Sequence, residues 1–123
     1  MASRTGTILI VDDEPDVLEM LGEQLVLSGY VVVHASDGID ALSCLYATPP
    51  TLVLLDDAMP RMNGLDVLAQ IRHERQLKDI PVLVMSGRDE LLDKAMAAGA
   101  TDVLRKPLDR EVLLQTLSRH LGH

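Results

Sequence analysis

The fold this chain predicts is an open parallel α/β sheet with helices on both faces, and three observations carry it. Short apolar segments suited to buried strands alternate five times with segments of helical period. Each apolar segment ends in polar or turn-forming residues, and no linker, repeat or low-complexity stretch interrupts the series. At 123 residues the chain has length for one core and not two. Strict alternation calls for parallel strands, because a parallel neighbour is reached through a crossover, and such crossovers are right-handed. The crossover helices then cover the two faces of the sheet.

The chain reads as a single domain over residues 1–123, with 1–6 as a flexible N-terminal lead. The first strand is Ile8–Val11. Pro15 then opens a helix, since its missing N–H falls where no intrahelical bond is made. Val17, Leu18, Leu21 and Leu25 share one helical face, and Gly29 supplies the stop. The valine-rich segment Tyr30–Ala35 is the second strand, and Gly38–Ala47 a helix closed by Pro49 and Pro50. The third strand, Thr51–Leu55, carries the unbroken apolar run Leu52–Leu55, as a strand buried on both faces requires. It runs straight into two carboxylates, Asp56 and Asp57. A helix follows from Gly64 to about His73, with Leu65, Leu68 and Ile71 inward. Ile80–Met85 is the fourth strand, with Pro81 tolerable near its start. Asp89–Ala98 is helical up to Gly99, Asp102–Leu104 a short fifth strand, and Asp109–Leu121 the last helix. In that helix Leu113, Leu117 and Leu121 recur every fourth residue.

Composition excludes several functions. Hydrophobic residues make up 47% and charged residues 24%, as in a soluble globular protein. Nineteen acidic residues against eleven basic ones give a net charge of −8. No basic cluster offsets it, so direct nucleic-acid binding is disfavoured. Phe and Trp are absent and Tyr30 and Tyr46 are the only aromatics, which leaves no platform for stacking on bases. No apolar stretch approaches the ~18–20 residues that cross a bilayer, and Met1–Thr7 lacks a signal peptide's apolar segment. The lone Cys44 cannot form an internal disulfide, which points to a reducing, cytoplasmic setting. It is expected to pack as a small hydrophobe. His34, His73, His120 and His123 show no metal-binding spacing.

In open parallel sheets, ligands bind at the carboxyl ends of the strands, where the strand order reverses. After the five strands stand Asp12, Asp13 and Glu14, then Ser36 and Asp37, Asp56 and Asp57, Ser86 and Gly87, and Lys106 and Pro107. Converging carboxylates repel one another unless a cation joins them. Oxygen ligands alone, with room for water, suit Mg²⁺ better than Ca²⁺. Residue by residue, plainer roles stay open. Asp13 could serve a helix N-terminus, Ser86 a turn, and Lys106 the solvated surface.

Taken together, four segments carry a family resemblance: Ile8-Leu9-Ile10-Val11-Asp12-Asp13-Glu14, Leu55-Asp56-Asp57-Ala58-Met59-Pro60 with Asn63-Gly64, Met85-Ser86-Gly87, and Arg105-Lys106-Pro107. They resemble the response-regulator receiver domain of two-component signalling, and the resemblance covers nearly the whole chain. It implies a flavodoxin-like (βα)5 three-layer sandwich with strand order 2-1-3-4-5, the order of chemotaxis regulators. It implies a phospho-accepting switch that catalyses only its own phosphorylation and dephosphorylation. The spacing to Met59-Pro60 selects Asp56 as acceptor and leaves Asp57 a bystander. The pleat agrees, since adjacent residues point to opposite faces. Asp13 resembles a direct ligand of Mg²⁺ (or Mn²⁺), Asp12 a ligand through water, and Ala58 a carbonyl ligand, beside Asp56 itself. Lys106 and Ser86 would contact phosphoryl oxygens, Ser86 only once phosphate is present, and Gly87 would leave room for the donor. A cis bond between Lys106 and Pro107 is implied, which X–Pro bonds make cheap.

The resemblance also implies partners. The donor would be a histidine kinase or histidine phosphotransfer protein docking near Pro15 and Pro107; the output partner is unknown. A monomer, or a weak homodimer through the fourth helix, fifth strand and fifth helix, is expected. Two positions depart from the pattern. Val103 stands where Tyr or Phe is usual, and a β-branched aliphatic cannot swing a ring, so the outer helical face should respond less to phosphorylation. The resemblance implies that Arg88 and Ala58 would flank the path of the hydrolytic water; for Arg88, pairing with the phosphoryl group and simple solvation are both open. Two other readings share the fold. One is a flavodoxin-type carrier, although Asp12-Asp13-Glu14 would repel its phosphate. The other is a pseudo-receiver that binds partners without phosphorylation.

Overall fold

The computed structural model of the chain describes residues 6–121. Its elements alternate without exception: β1 (Thr7–Val11), α1 (Pro15–Leu27), β2 (Val31–Ala35), α2 (Gly38–Ala47), β3 (Leu52–Asp56), α3 (Gly64–His73), β4 (Val82–Ser86), α4 (Asp89–Ala97), β5 (Asp102–Arg105) and α5 (Arg110–Leu121). The five strands form one parallel sheet in the order β2-β1-β3-β4-β5. This is the layered sandwich and strand order expected, with the order reversing between β1 and β3.

The pleat splits the hydrophobic side chains into two cores. Leu9, Val11, Val53, Leu55, Val82 and Val84 face α2, α3 and α4. Ile8, Ile10, Leu52, Leu54, Leu83 and Met85 face the other way, against α1 and α5. One side-chain type thus fills both faces of β1, β3 and β4, which is why those strands read as unbroken apolar runs. At the edge, β2 is largely exposed.

Boundaries moved where backbone pairing outranks side-chain pattern. The third strand runs one residue further than expected, because Asp56 pairs with Met85 in the ladder. The fourth begins at Val82 and not Ile80, and extends to Ser86. The Pro81 carbonyl accepts from the Val53 N–H at 2.9 Å, but proline has no N–H to return, so the ladder starts after it. Asp109 lies outside the last helix, its carboxylate accepting from the Val112 N–H at 3.1 Å. α1 ends two residues before Gly29, whose φ of 98° is the left-handed conformation that closes the helix. Of the expected N-terminal lead, residues 1–5 lie outside the described residues. Gly6 is already tied to β2, its carbonyl accepting from the Val31 N–H at 3.0 Å. Among the described residues, no helix is long and apolar enough to cross a membrane.

Candidate functional site

The strand ends converge as the topology requires. Asp12 and Asp13 follow β1, Asp56 closes β3, and their carboxylates lie within 4.8 Å of one another. Asp12 and Asp56 are buried, while Asp13 is exposed and opens the cluster to solvent. Lys106 reaches in from the loop after β5. Its Nζ donates to Asp56 Oδ1 at 2.8 Å and to Asp12 Oδ2 at 3.2 Å. The Lys106 backbone N–H prolongs the ladder by donating to the Ser86 carbonyl at 2.9 Å, and the next bond, to Pro107, is cis as expected. The remaining Asp12 oxygen accepts from the Glu14 N–H at 3.0 Å.

Gly64 positions the end of β3. A Cβ at this residue would lie 2.1 Å from the Asp56 carbonyl oxygen, so α3 can begin there only with glycine. Asn63 caps that helix by accepting from the Asp66 N–H at 3.0 Å. The Asn63-Gly64 pair therefore sets how closely α3 approaches the end of β3.

The electrostatics call for a further cation. Burial pushes the Asp56 carboxyl up to about 7; the hydrogen bond from Lys106 opposes this, and the charge of Asp12 adds to it. Burial would lower the Lys106 ammonium, but the two carboxylates it touches outweigh this and raise it. One lysine cannot neutralise three converging carboxylates. Their donors are all oxygen, and one of them faces solvent, which fits a hard divalent cation that retains water.

Asp57 requires a correction: it is not a bystander. Ser86 Oγ donates to Asp57 Oδ2 at 2.8 Å, and the same Oγ accepts from the Arg88 N–H at 3.0 Å. The Ser86 side chain, fully buried, is thus fully engaged with its neighbours. Arg88 places its guanidinium 3.8 Å from the same Asp57 oxygen, so it is partnered though exposed. Ala58 and Arg88 both line a cleft with Asp57, Met59 and Asn63. Gly87 has open space where a side chain would stand. Val103 pairs with Val84 in the sheet and is half-buried against the α2–α4 core. Beside it, Asp102 bonds to His120 at 2.9 Å and to Arg119 at 3.1 Å, tying β5 to α5.

Sequence reasoning missed two arginines. Arg61 has a φ of 66°, and its Nη2 lies 2.6 Å from the buried Asp37 carboxylate. Asp37 in turn caps α2 by accepting from the Asp40 N–H at 2.8 Å. That N–H holds the Asp37 carboxyl below its ordinary range, against burial and with help from Arg61. The pair joins the loop after β3 to the loop after β2, and nothing in residues 24 apart announces it. Arg72 donates to the carbonyls of Gly99, Lys78 and Ile80 and to Thr101 Oγ1, anchoring the end of α3.

Comparison with known proteins agrees with this geometry. The family model of the response regulator receiver domain matches residues 8–118. Response regulator MprA of Mycobacterium sp. (strain KMS) is 41% identical over 109 residues, 87% of this chain and 46% of the relative. The chain therefore spans just under half the length of the curated relatives it matches. A putative response regulator from Chloroflexus aurantiacus superposes with a TM-score of 0.93 at 30% identity, covering 98% of this chain and all of that one. The chemotaxis response regulator CheY4 of Vibrio cholerae gives 0.89 at 32% identity, over 94% of this chain and 98% of its own. Fold, acidic strand ends and sequence agree that this chain belongs to the response regulator receiver domain family.

Proposed function

We propose that Asp56 accepts the phosphoryl group and that Mg²⁺ is the resident cation, held by Asp13, by Asp56, by the Ala58 carbonyl, and by Asp12 through water. The donor in this reading is a phosphohistidine of a kinase or phosphotransfer protein. The observation that carries it is the position of Asp56: buried at the end of β3, within the acidic cluster and bonded to Lys106.

An oxygen of the Asp56 carboxylate attacks phosphorus, the P–N bond to histidine breaks, and its electron pair leaves on the imidazole, which takes up a proton. The bound cation supplies neutralisation of charge on the phosphoryl oxygens. Lys106 moves its ammonium from the two carboxylates to a phosphoryl oxygen, a short step for a flexible point charge. Ser86 exchanges the Asp57 oxygen for another phosphoryl oxygen. Gly87 leaves the donor's path clear, and Pro107 lies beside Lys106 where the donor would dock. Arg88 and Ala58 flank the route of the hydrolytic water. Val103 offers no ring to rotate, so the signal to the α4-β5-α5 face passes through the backbone after Ser86. The test is phosphorylation of the chain by acetyl phosphate and by a phosphohistidine donor, with Mg²⁺ and with the metal chelated. One phosphoryl group taken up only with metal is the expected result; metal-independent uptake, or none, contradicts the proposal.

A further inference from the structure

Charge is distributed very unevenly along this chain. Residues 5–60 hold ten Asp or Glu and no Lys or Arg, so ten of the eleven basic residues lie at or beyond Arg61. In the fold, that cation-free segment builds the whole β2-β1-β3 side with α1 and α2. Arg61 reaches Asp37 and Asp40 on the α2 face. On the α1 face, among the described residues, neither Glu19 nor Glu23 has an ion-pair partner.

The same face is incompletely covered. Three helices pack on one side of the sheet but only α1 and α5 on the other, and the edge strand β2 is left partly open there. A groove of about 580 Å³ runs between α1 and β2. Glu19, Glu23 and Val26 form its wall, and Gly22, Val32 and His34 its floor. A Cβ at Gly22 would lie 2.9 Å from His34 Nε2, so glycine lets the helix and strand approach across the floor. Apolar side chains crowd the rim: Leu27 is 82% exposed and Val26 57%. Contiguous apolar exposure of this kind, bordered by charge, marks an interaction site.

The charge selects the occupant. A second copy docking by two-fold symmetry would set Glu19 and Glu23 against their own equivalents. Anionic lipid and nucleic acid are repelled by the same carboxylates. We propose that the α1–β2 groove receives a basic amphipathic helix of a partner protein, its apolar residues seated on Val26, Leu27 and Val32 and its Lys or Arg paired with Glu19 and Glu23. None of these residues belongs to the Asp12, Asp13 and Asp56 cluster, so the surface can be altered without touching the phosphorylation chemistry.

The test is an NMR titration of the ¹⁵N-labelled chain with a synthetic amphipathic helix bearing Leu on one face and Lys on its flanks, beside a twin with Glu for Lys. Amide shifts confined to Glu19–His34, with the Glu twin not binding, are expected. The double variant Glu19→Lys, Glu23→Lys should weaken the Lys peptide about tenfold, and Leu27→Asp should do the same. Both variants should still take up phosphoryl from acetyl phosphate, which shows that they are folded. Shifts spread over other acidic surfaces, equal binding of the Glu twin, or unchanged affinity in both variants would overturn the proposal. So would concentration-dependent pairing of two chains through this face.

Discussion

Asp56 and Asp57 are chemically identical neighbours, yet the fold gives them different work. Asp56, the last residue of β3, lies among Asp12, Asp13 and Lys106. One residue on, Asp57 holds the Ser86 hydroxyl and stands near the Arg88 guanidinium. Asp56 closes the strand and Asp57 is the first residue beyond it, so the chain's turn out of β3 separates the two side chains. The difference teaches that a strand end can build two polar devices from one dipeptide. One gathers negative charge around Asp56 and Lys106, and the other holds the Ser86 hydroxyl. In the proposed mechanism Ser86 links the two, leaving the second to serve the first.

The sharpest way to break this comparison is to exchange the two carboxylates separately for amides. Asp56→Asn should abolish phosphoryl uptake from acetyl phosphate with Mg²⁺, whereas Asp57→Asn should retain it, as read by intact mass. Lys106→Ala should slow uptake about 10²-fold, the scale of losing one donor aimed at developing charge. Equal rates in stopped-flow measurements would remove Lys106 from the mechanism. Arg61→Ala should have a smaller effect, raising the Mg²⁺ concentration for half-saturation several-fold because the loop bearing Ala58 loses its tie to Asp37. Calorimetric titration with the metal alone checks this, and an unchanged affinity would make the ion pair purely structural.

A pH series sharpens the electrostatic side. The folded Asp56 carboxyl titrates at about 7, well above the ordinary 3.8. Native protein therefore holds this proton more tightly than unfolded chain. The resulting stability is fully present below about pH 4 and is lost as pH rises through 7. Denaturant midpoints of the metal-free protein should fall across that window more steeply than those of Asp56→Asn. Parallel curves would place the group's titration elsewhere. Asp102 has the opposite sign. Burial raises its carboxyl, but His120, the Val103 N–H and Arg119 outweigh this and hold it low. Its smaller contribution is present at neutral pH and lost as pH falls below about 4, and Asp102→Asn should lessen the acid lability of the α5 packing.

Much of this was legible in the sequence for a physical reason. Strands buried on both faces must be apolar throughout, so β1, β3 and β4 showed themselves, and the residues just beyond each strand had to be polar. Asp12, Asp13, Asp56 and Lys106 were found in that way before any geometry was known. The edge position of β2 followed only from the strand order that the family resemblance implies, because Val31, Val32 and Val33 by themselves look like core residues. The partnership of Asp57 with Ser86 was hidden as well. It depends on how the ends of β3 and β4 stand side by side, and the two residues are 29 apart in sequence. The Arg61–Asp37 tie escaped for the same reason, a contact between two loops that periodicity cannot report.

Everything in the division between the neighbouring carboxylates rests on which one carries the phosphoryl group. The direct measurement is to phosphorylate the unmodified chain with acetyl phosphate and Mg²⁺, trap the acyl phosphate by borohydride reduction, and fragment the peptide that contains both aspartates. The account predicts the modification on Asp56 with Asp57 intact. Modification of Asp57, or of both in comparable amounts, would contradict it.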